Sequence, residues 1–553
     1  MAELKRSVEI QKSPRLQAAL GEMAAAIGGE HMHASGAELE RVAKATIPQS
    51  KRPAALVTPK DRAEVAQLVR IASHYGVPLW PVSQGRNWGY GSATACLDDA
   101  VVLHLGRLNQ ILEVNKELAY AVIEPGVTYR QLRQFLELHH PDLWCDCTDG
   151  PPDGSVIGNA LDRGLGVTHY ADHFGTLCGL EVVLPSGQLI RTGGGPPNSK
   201  TWHTHKWGVG PYIEGLFSQS NLGIVTRAGV WLMPKPEAFV SFTFDLVQRK
   251  DLAELVDRVR DLALQGVLQS ACHIVNEVVA LCVLTQYPGE MLERYSRLPN
   301  EVLADLCRRY GAAPWSLGGG IQGTKETVRH VKRKLRQALS PLGRLTFLDD
   351  RSAGAVSWLS QWSARSAIGR MVAAGVARLA GKSVQMLDSA PHVHSVLKGV
   401  PSDFFVRHAY FKANKPKPLV ADPDRDDIGL VWFAPVAPMT GRHVEEVMGM
   451  CRPLFERYAF DFYAALLMQN ARSMIVLMSI FFRKEDAEQV HRAQELYETL
   501  VRTTAAAGYQ PYRTSVAGME HVGTLSLEFN TFLRELKSTV DPGKILAPGK
   551  YGI

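Results

Sequence analysis

Three glycine-rich segments carry the first chemical signal in this sequence. They are Pro81 to Gly91 (PVSQGRNWGYG), Gly154 to Asn159 continuing to Arg163–Gly166, and Gly208 to Val225. Glycine lets backbone N–H groups approach an anion closely, and consecutive N–H groups form a concave nest. A strand feeding such a loop could cradle a diphosphate. None of the three has Walker spacing, and none has the GxGxxG spacing of a nicotinamide-binding fold. The residues therefore point to a nucleotide cofactor held in neither common way, with plain tight turns as the competing reading. A second cluster, Asp146-Cys-Thr-Asp149-Gly-Pro-Pro-Asp153, sets carboxylates among turn formers, where they either do chemistry or solvate a turn. The eight cysteines are scattered, with no CxxC pair, no Cys/His zinc spacing and no CxxCH haem motif.

The elements that must position these loops are legible in outline. Ala54 to Val57 reads as a short strand, followed by a helix that Thr58 caps, with Pro59 at its first position, and that stops at Gly76. Val77–Val82 leads into the first glycine loop, and Val101–Leu105 is another strand. Ile111–Val114 and Ala119–Ile123 read as a hairpin around Asn115 and Lys116. Thr128-Tyr-Arg-Gln131 opens a helix to about Leu138. Farther on, Leu252, Leu255, Val256, Val259 and Leu262 recur at helical spacing. Val431–Val436 and Ile475–Phe482 read as strands, and Val444–Tyr458 and Ala487–Gly508 as helices. Lys415 to Asp427, rich in Pro, Lys and Asp, reads as an exposed loop. The fold class is thus α+β, with a second sheet covered on one face by helices.

Composition narrows the function classes. The chain has 553 residues, 46% of them hydrophobic, and a net charge of +6. That apolar content excludes disorder. A mild basic excess over so long a chain suggests no nucleic-acid partner. The apolar run Met474–Phe482 is far short of the roughly 20 residues of a membrane helix, and no secretory signal opens the chain, so no membrane partner is expected. Scattered cysteines suit a reduced, cytoplasmic enzyme.

Longer motifs carry a more specific resemblance. PVSxGRNxGYG at 81–91, GNxxxRGxGxTxYxDHF at 158–174, KWGxGPxxxGxFxQxNxGI at 206–224 and DPGKILAPGK at 541–550 occur in the order seen in the vanillyl-alcohol oxidase and p-cresol methylhydroxylase family of flavoenzymes, which this chain resembles from about residue 50 to its end. The resemblance implies a PCMH-type FAD-binding domain from residues 1–238 and 511–553. It also implies a substrate-shaping cap domain from 239–510. It assigns cofactor contacts to Ser83, Gly85, Arg86, Asn87, Gly89, Gly154, Ser155, Gly158, Asn159, Gly164, Gly166, Tyr170, Gly223, Ile224, Val225 and Lys550, and no metal. The family commonly forms homodimers or larger assemblies.

The resemblance also implies a reaction: hydride removal from the carbon para to the hydroxyl of a 4-substituted phenol, through a quinone methide. A neutral phenol, with a pKa of about 10, is a poor hydride donor. The pocket therefore needs a cation and hydrogen-bond donors at the phenol oxygen. The family's two Tyr and one Arg match Tyr90, Tyr512 and Arg513. A family Asp near the flavin matches Asp149, with Asp153 as the other candidate because this loop is one residue longer. The electron acceptor is molecular oxygen or a separate protein such as a cytochrome. The family's histidyl flavin tether falls on Leu430, so FAD is expected to be non-covalent, with Tyr410 or His408 as the minority tether. Family residues of the distal cap are replaced near Val393 and His394, at Phe405, and around Ser473 and Met474. These departures leave open a non-phenolic alcohol or amine as substrate.

Overall fold

The computed structural model describes residues 13–292 and 296–553. Short apolar strands and glycine turns in the first 235 residues make two small sheets. In one, Ala55–Val57, Val101–His104 and Leu79–Val82 run parallel, and Met32–His33 adds antiparallel at the outer edge. In the other, Ile111–Asn115, Tyr120–Ile123, Ile224–Trp231, Leu177–Val183 and Leu189–Arg191 lie antiparallel in that order.

The first helix of the parallel sheet begins later than its sequence suggests. It runs Arg62–Tyr75, and Asp61, not Thr58, caps it by accepting from the N–H groups of Ala63 and Glu64 at 2.9 Å. Thr58 stays with the strands, because its N–H donates to the His31 carbonyl at 3.0 Å. The stop is as read: Gly76 takes the left-handed conformation, φ 64°.

The chain's end returns to this sheet. Asp541 accepts from the N–H groups of Ile545 and Leu546, and Leu79 exchanges backbone bonds with Ile545 and Ala547. The DPGKILAPGK segment is thereby docked beside the strand that feeds the first glycine loop.

The middle of the chain builds one eight-stranded antiparallel sheet. Its order is Gly343–Asp349, Ala238–Leu246, Trp315–Gly323, His273–Asn276, Tyr463–Asn470, Ser473–Phe482, Gly429–Phe433, with Val436–Pro438 also pairing Ser473–Phe482. The helices Leu252–Leu264, Lys325–Leu339, Gly441–Arg457 and Ala487–Ala506 supply core residues on one face. Side chains alternate across a strand. Ala464, Leu466 and Met468, with Met474, Val476, Met478 and Ile480, join the core under those helices. The intervening Tyr463, Ala465, Ile475 and Leu477 belong to a separate apolar cluster on the other face. Both faces are covered, so Ser473–Phe482 reads as an apolar run broken inside only by the buried Ser479. All eight cysteines are free thiols. Among the described residues, no helix is long and apolar enough to cross a membrane.

Candidate active site

One cavity collects most of the segments singled out by glycine content. Ser83, Gly85, Arg86 and Asn87 of the first loop line it, as do Gly154, Ser155, Gly158 and Asn159 of the second. Gly223, Ile224 and Val225 follow from the third, and Lys550 from the docked chain end. The first two loops touch: a Cβ on Gly158 would sit 2.0 Å from the Ser83 Oγ, so only glycine fits. The helix-capping bond from the Gly158 N–H to the Ser155 hydroxyl, 2.8 Å, fixes the second loop.

Four expected cofactor contacts are not on this wall. Gly89, at φ 77°, lies against the Trp432 ring, 2.9 Å from where its Cβ would be. Gly164 backs onto the Asn159 side chain, and Gly166 onto Asp146 and His173. Tyr170 packs against the core of the five-stranded sheet. These residues allow close packing beneath the loops and do not face the cavity.

The cavity fits a dinucleotide such as FAD. Thr94 Oγ1 and Asn221 Oδ1 belong to wall residues and are buried without a hydrogen-bond partner. Buried polar atoms are nearly always paired, so orphans beside a cavity suit a ligand rich in hydrogen-bonding atoms. Arg86 and Lys550 add two cations to the same wall, suited to a diphosphate.

Tyr90, Tyr512 and Arg513 come together on this wall, as their sequence assignment requires. The backbone explains how. The Tyr512 N–H bonds the Ala434 carbonyl at 3.0 Å, the Val516 N–H bonds the Tyr90 carbonyl at 2.9 Å, and Gln219 holds the Tyr512 carbonyl at 2.9 Å. The guanidinium carbon of Arg513 lies 4.1 Å from the Tyr90 ring centre and 5.3 Å from that of Tyr512. Its Nη1 is 3.4 Å from Asp162, and its Nε has no partner. Asp162 also accepts from Asn87 at 2.7 Å and from Tyr551 at 3.0 Å. Asp162 was missed by sequence reasoning, although it directly precedes Arg163 in the second glycine-bearing stretch.

Burial pushes the Tyr90 hydroxyl up, against the opposing Arg513 charge, and pushes Tyr512 well above its ordinary value. Burial works against the charge of Arg513, but Tyr512, Tyr90 and Asp162 outweigh it and hold its pKa above the usual value. The result is a fixed cation between two hydroxyls that stay protonated at neutral pH.

The structure separates the two carboxylate candidates. Asp149 is on the cavity wall, whereas Asp153 is off it and paired with Arg130 at 2.7 Å. Two histidines that sequence reasoning did not assign to the pocket wall share it with Asp149: His273, and His408, considered there only as a tether. Burial lowers the pKa of both, the charge of Asp149 opposes that shift, and the Nε2 of each has no partner. His408 Nδ1 lies 2.5 Å from the Phe405 carbonyl, a bond that needs its proton on Nδ1 and leaves Nε2 as the acceptor.

The tether positions also separate. Leu430 is on the wall and has no atom that could form a histidyl-type bond. Tyr410 is off it, because its hydroxyl donates to Asp426 at 2.6 Å and accepts from the Asp422 N–H at 2.9 Å. The replaced cap positions Val393, His394, Phe405, Ser473 and Met474 are also off the wall. His394 is buried between Ser241 at 2.8 Å and Asp350 at 2.9 Å, and Met474 is core. The cavity is also lined by His273, Val275, His408, Tyr463, Leu467 and Leu477.

Comparison with known proteins identifies relatives over nearly the whole chain. Residues 53–193 match the FAD binding domain family. The 1'-carboxy-chondrochloren decarboxylase of Chondromyces crocatus is 35% identical over 97% of this chain and 97% of its own length. The 4-cresol dehydrogenase [hydroxylating] flavoprotein subunit of Pseudomonas putida is 28% identical over 91% of this chain and 88% of its own. The structure of 4-ethylphenol oxidase from Gulosibacter chungangensis in its isoeugenol complex superposes with a TM-score of 0.86 at 27% identity, covering 98% of both chains.

Proposed function

Because this chain belongs to the vanillyl-alcohol oxidase and p-cresol methylhydroxylase family of FAD-dependent oxidoreductases, we propose that it oxidises a 4-substituted phenol by removing hydride from the benzylic carbon, the substituent carbon attached para to the hydroxyl. We take residues 1–238 and 511–553 as its flavin-binding part and 239–510 as its cap. The observation that carries this reading is the convergence of Tyr90, Tyr512 and Arg513 on the cavity that the glycine loops line.

Bound in that cavity against the loop residues and Lys550, FAD supplies the acceptor for the hydride. Arg513 favours the ionised phenol by charge, lowering the phenol's pKa toward neutrality. Tyr90 and Tyr512, kept protonated by burial, donate to the phenolate oxygen. Electron density then reaches the para position of the ring, and hydride loss from the attached benzylic carbon leaves a quinone methide. Asp149 is placed to orient a water or take its proton when that intermediate is hydrated. We take the cofactor as non-covalent, since Leu430 has no atom to bond it and Tyr410 is engaged elsewhere, which leaves His408, on the wall with a free Nε2, as the one position where a tether would form. The acceptor for its electrons is oxygen or a separate protein.

A second outcome of the same hydride removal is favoured by the 35% identical relative, which is a decarboxylase by name. If the substrate bears a carboxylate on the carbon next to the benzylic carbon, the quinone methide is an electron sink. The pair of the C–CO2 bond becomes the new C=C bond, the ring regains aromaticity as phenolate, and CO2 leaves. No proton is needed. Val275, Leu467 and Leu477 offer the carboxylate an apolar wall, which disfavours its charge relative to the delocalised transition state.

The test is anaerobic mixing of the yellow protein with 4-ethylphenol and, separately, with 3-(4-hydroxyphenyl)propanoate. Bleaching of the flavin absorbance by either supports phenol oxidation, and release of 4-vinylphenol and CO2 from the acid supports the decarboxylating branch. Bleaching by simple alcohols or amines but by no phenol would overturn the reading in favour of a non-phenolic substrate. Acid precipitation of the same sample should leave the colour in the supernatant.

A further inference from the structure

The positive charge of the chain is unevenly placed. Residues 325–387 hold twelve Lys and Arg against three Asp and Glu, a net of +9, whereas the whole chain carries only +6. From 351 to 387 there is no acidic residue at all. Most of that stretch folds as two helices packed side by side, Asp350–Arg365 and Ala367–Leu379.

The second helix is packed inside out. A surface helix normally buries its large apolar residues. Here Gly369, Ala373 and Ala377 are the buried positions, and a Cβ on Gly369 would meet the Trp362 carbonyl at 2.6 Å. The large side chains Ile368, Met371, Val372, Val376 and Leu379 are exposed, Met371 at 74% and Leu379 at 87%. Helical spacing sets Ile368, Val372 and Leu379 on one stripe, with Met371 and Val376 beside it. Trp358, 63% exposed, adds an aromatic from the neighbouring helix. Arg365, Arg370 and Arg378 are exposed and make no ion pair among the described residues, whereas nearby Lys382 and Lys398 are paired with Asp245 and Asp350.

We propose that this helical pair docks on an anionic lipid surface. The apolar stripe would enter the acyl boundary, and the three free arginines would sit among the headgroup phosphates. An apolar stripe flanked by cations, with an aromatic nearby, is the pattern of a helix that lies in a bilayer interface. Three observations favour lipid over other occupants. A second copy meeting this face through the same face would bring like charges together without an acid to pair them. The Ala367–Leu379 helix carries no neutral polar side chain, whereas protein interfaces need hydrogen bonds to set register. The pair also follows Gly343–Asp349, the outermost strand of the eight-stranded sheet. The cavity is lined from His273–Asn276 and the strands beyond it, none of which is Gly343–Asp349. Contact of this kind needs no spanning helix, but it revises the expectation of no membrane partner.

The test is co-sedimentation of the full-length flavin-loaded protein with phosphatidylcholine vesicles, with and without about one quarter phosphatidylglycerol. Binding should occur only with the anionic lipid and weaken as salt is raised. Met371→Ser combined with Leu379→Ser, and separately Arg370→Gln combined with Arg378→Gln, should each lower binding about tenfold or more while flavin content and melting temperature stay unchanged. Failure of the parent protein to sediment with anionic vesicles would overturn the proposal, as would variants that bind like the parent. Self-association that the Met371/Leu379 variant abolishes, without vesicle binding, would reassign the face to a subunit contact and equally overturn it.

Discussion

At the level of single residues, the arrangement of Tyr90, Tyr512 and Arg513 separates stability from activity. The Tyr90 hydroxyl is buried beside Arg513 and Tyr512 without a hydrogen bond of full geometry. Removing an unpaired buried hydroxyl costs the fold little. Tyr90→Phe should therefore leave the melting temperature unchanged or slightly raised, yet slow flavin reduction by a phenol about tenfold to a hundredfold. Arg513→Lys keeps a charge but loses the fixed fork held at Asp162. Its rate should fall on the order of a hundredfold near neutral pH and recover toward pH about 10, where the phenol ionises unaided. Stopped-flow reduction across pH reads both, and a flat ratio of variant to parent would refute the role given to Arg513. The three residues were legible because they sit in motifs. Asp162 lay in a motif too, but its partners come from residues 87, 513 and 551, and sequence spacing does not report such distant pairing. His273 stands in a short strand whose neighbours in sequence give no hint that it reaches the cavity.

Elements hold the flavin loops through a buried ionic centre that the sequence did not announce. Glu181, 1% exposed on the strand Leu177–Val183, meets Arg227 of the neighbouring strand, Arg62 at 2.7 Å and Arg191 at 3.6 Å. It ties the five-stranded sheet to the Arg62–Tyr75 helix of the parallel sheet. Glu181 is buried, but Arg62, Arg191 and Arg227 keep 51%, 37% and 21% of their side chains open to water, so losing its charge costs about 1–3 kcal/mol, chiefly through the charged hydrogen bonds it accepts. Glu181→Gln should thus lower the thermal midpoint by several degrees. Lys116→Gln, which breaks the exposed pair with Asp142 where both side chains are about two-thirds open, should change it imperceptibly. Equal effects from the two substitutions would contradict this account. Strand and helix positions were readable here from period and capping chemistry. The exception was the helix start at Asp61: Thr58 looked like a cap in sequence but bonds the carbonyl of His31, 27 residues away in the turn before Met32–His33.

Across the whole molecule, the loop 415–427 joins the cap to the first glycine loop, and its acidity makes that junction sensitive to pH. Arg86 pairs with Asp422 at 3.3 Å, while Asp424 accepts from Ser92 at 2.9 Å and from the Trp88 indole at 3.0 Å. Composition marked this loop as exposed, and local sequence cannot show that two of its aspartates turn inward onto residues more than 300 positions earlier. Burial raises Asp424 to about 7, with Asp422 pushing the same way and Lys484 and the two donors opposing. An unfolded Asp ionises near 4. Between those values the folded protein holds a proton that the unfolded chain has released, so stability is fully present below about 4 and falls as pH rises toward 7. Above 7 both states are ionised and this contribution is flat. Asp424→Asn removes the titration. The melting temperature of the flavin-loaded parent should therefore fall relative to that of Asp424→Asn between about pH 5 and 7, then run parallel to it. Parallel curves across the whole range would mean that Asp424 ionises as an ordinary surface carboxylate and that the junction does not sense pH.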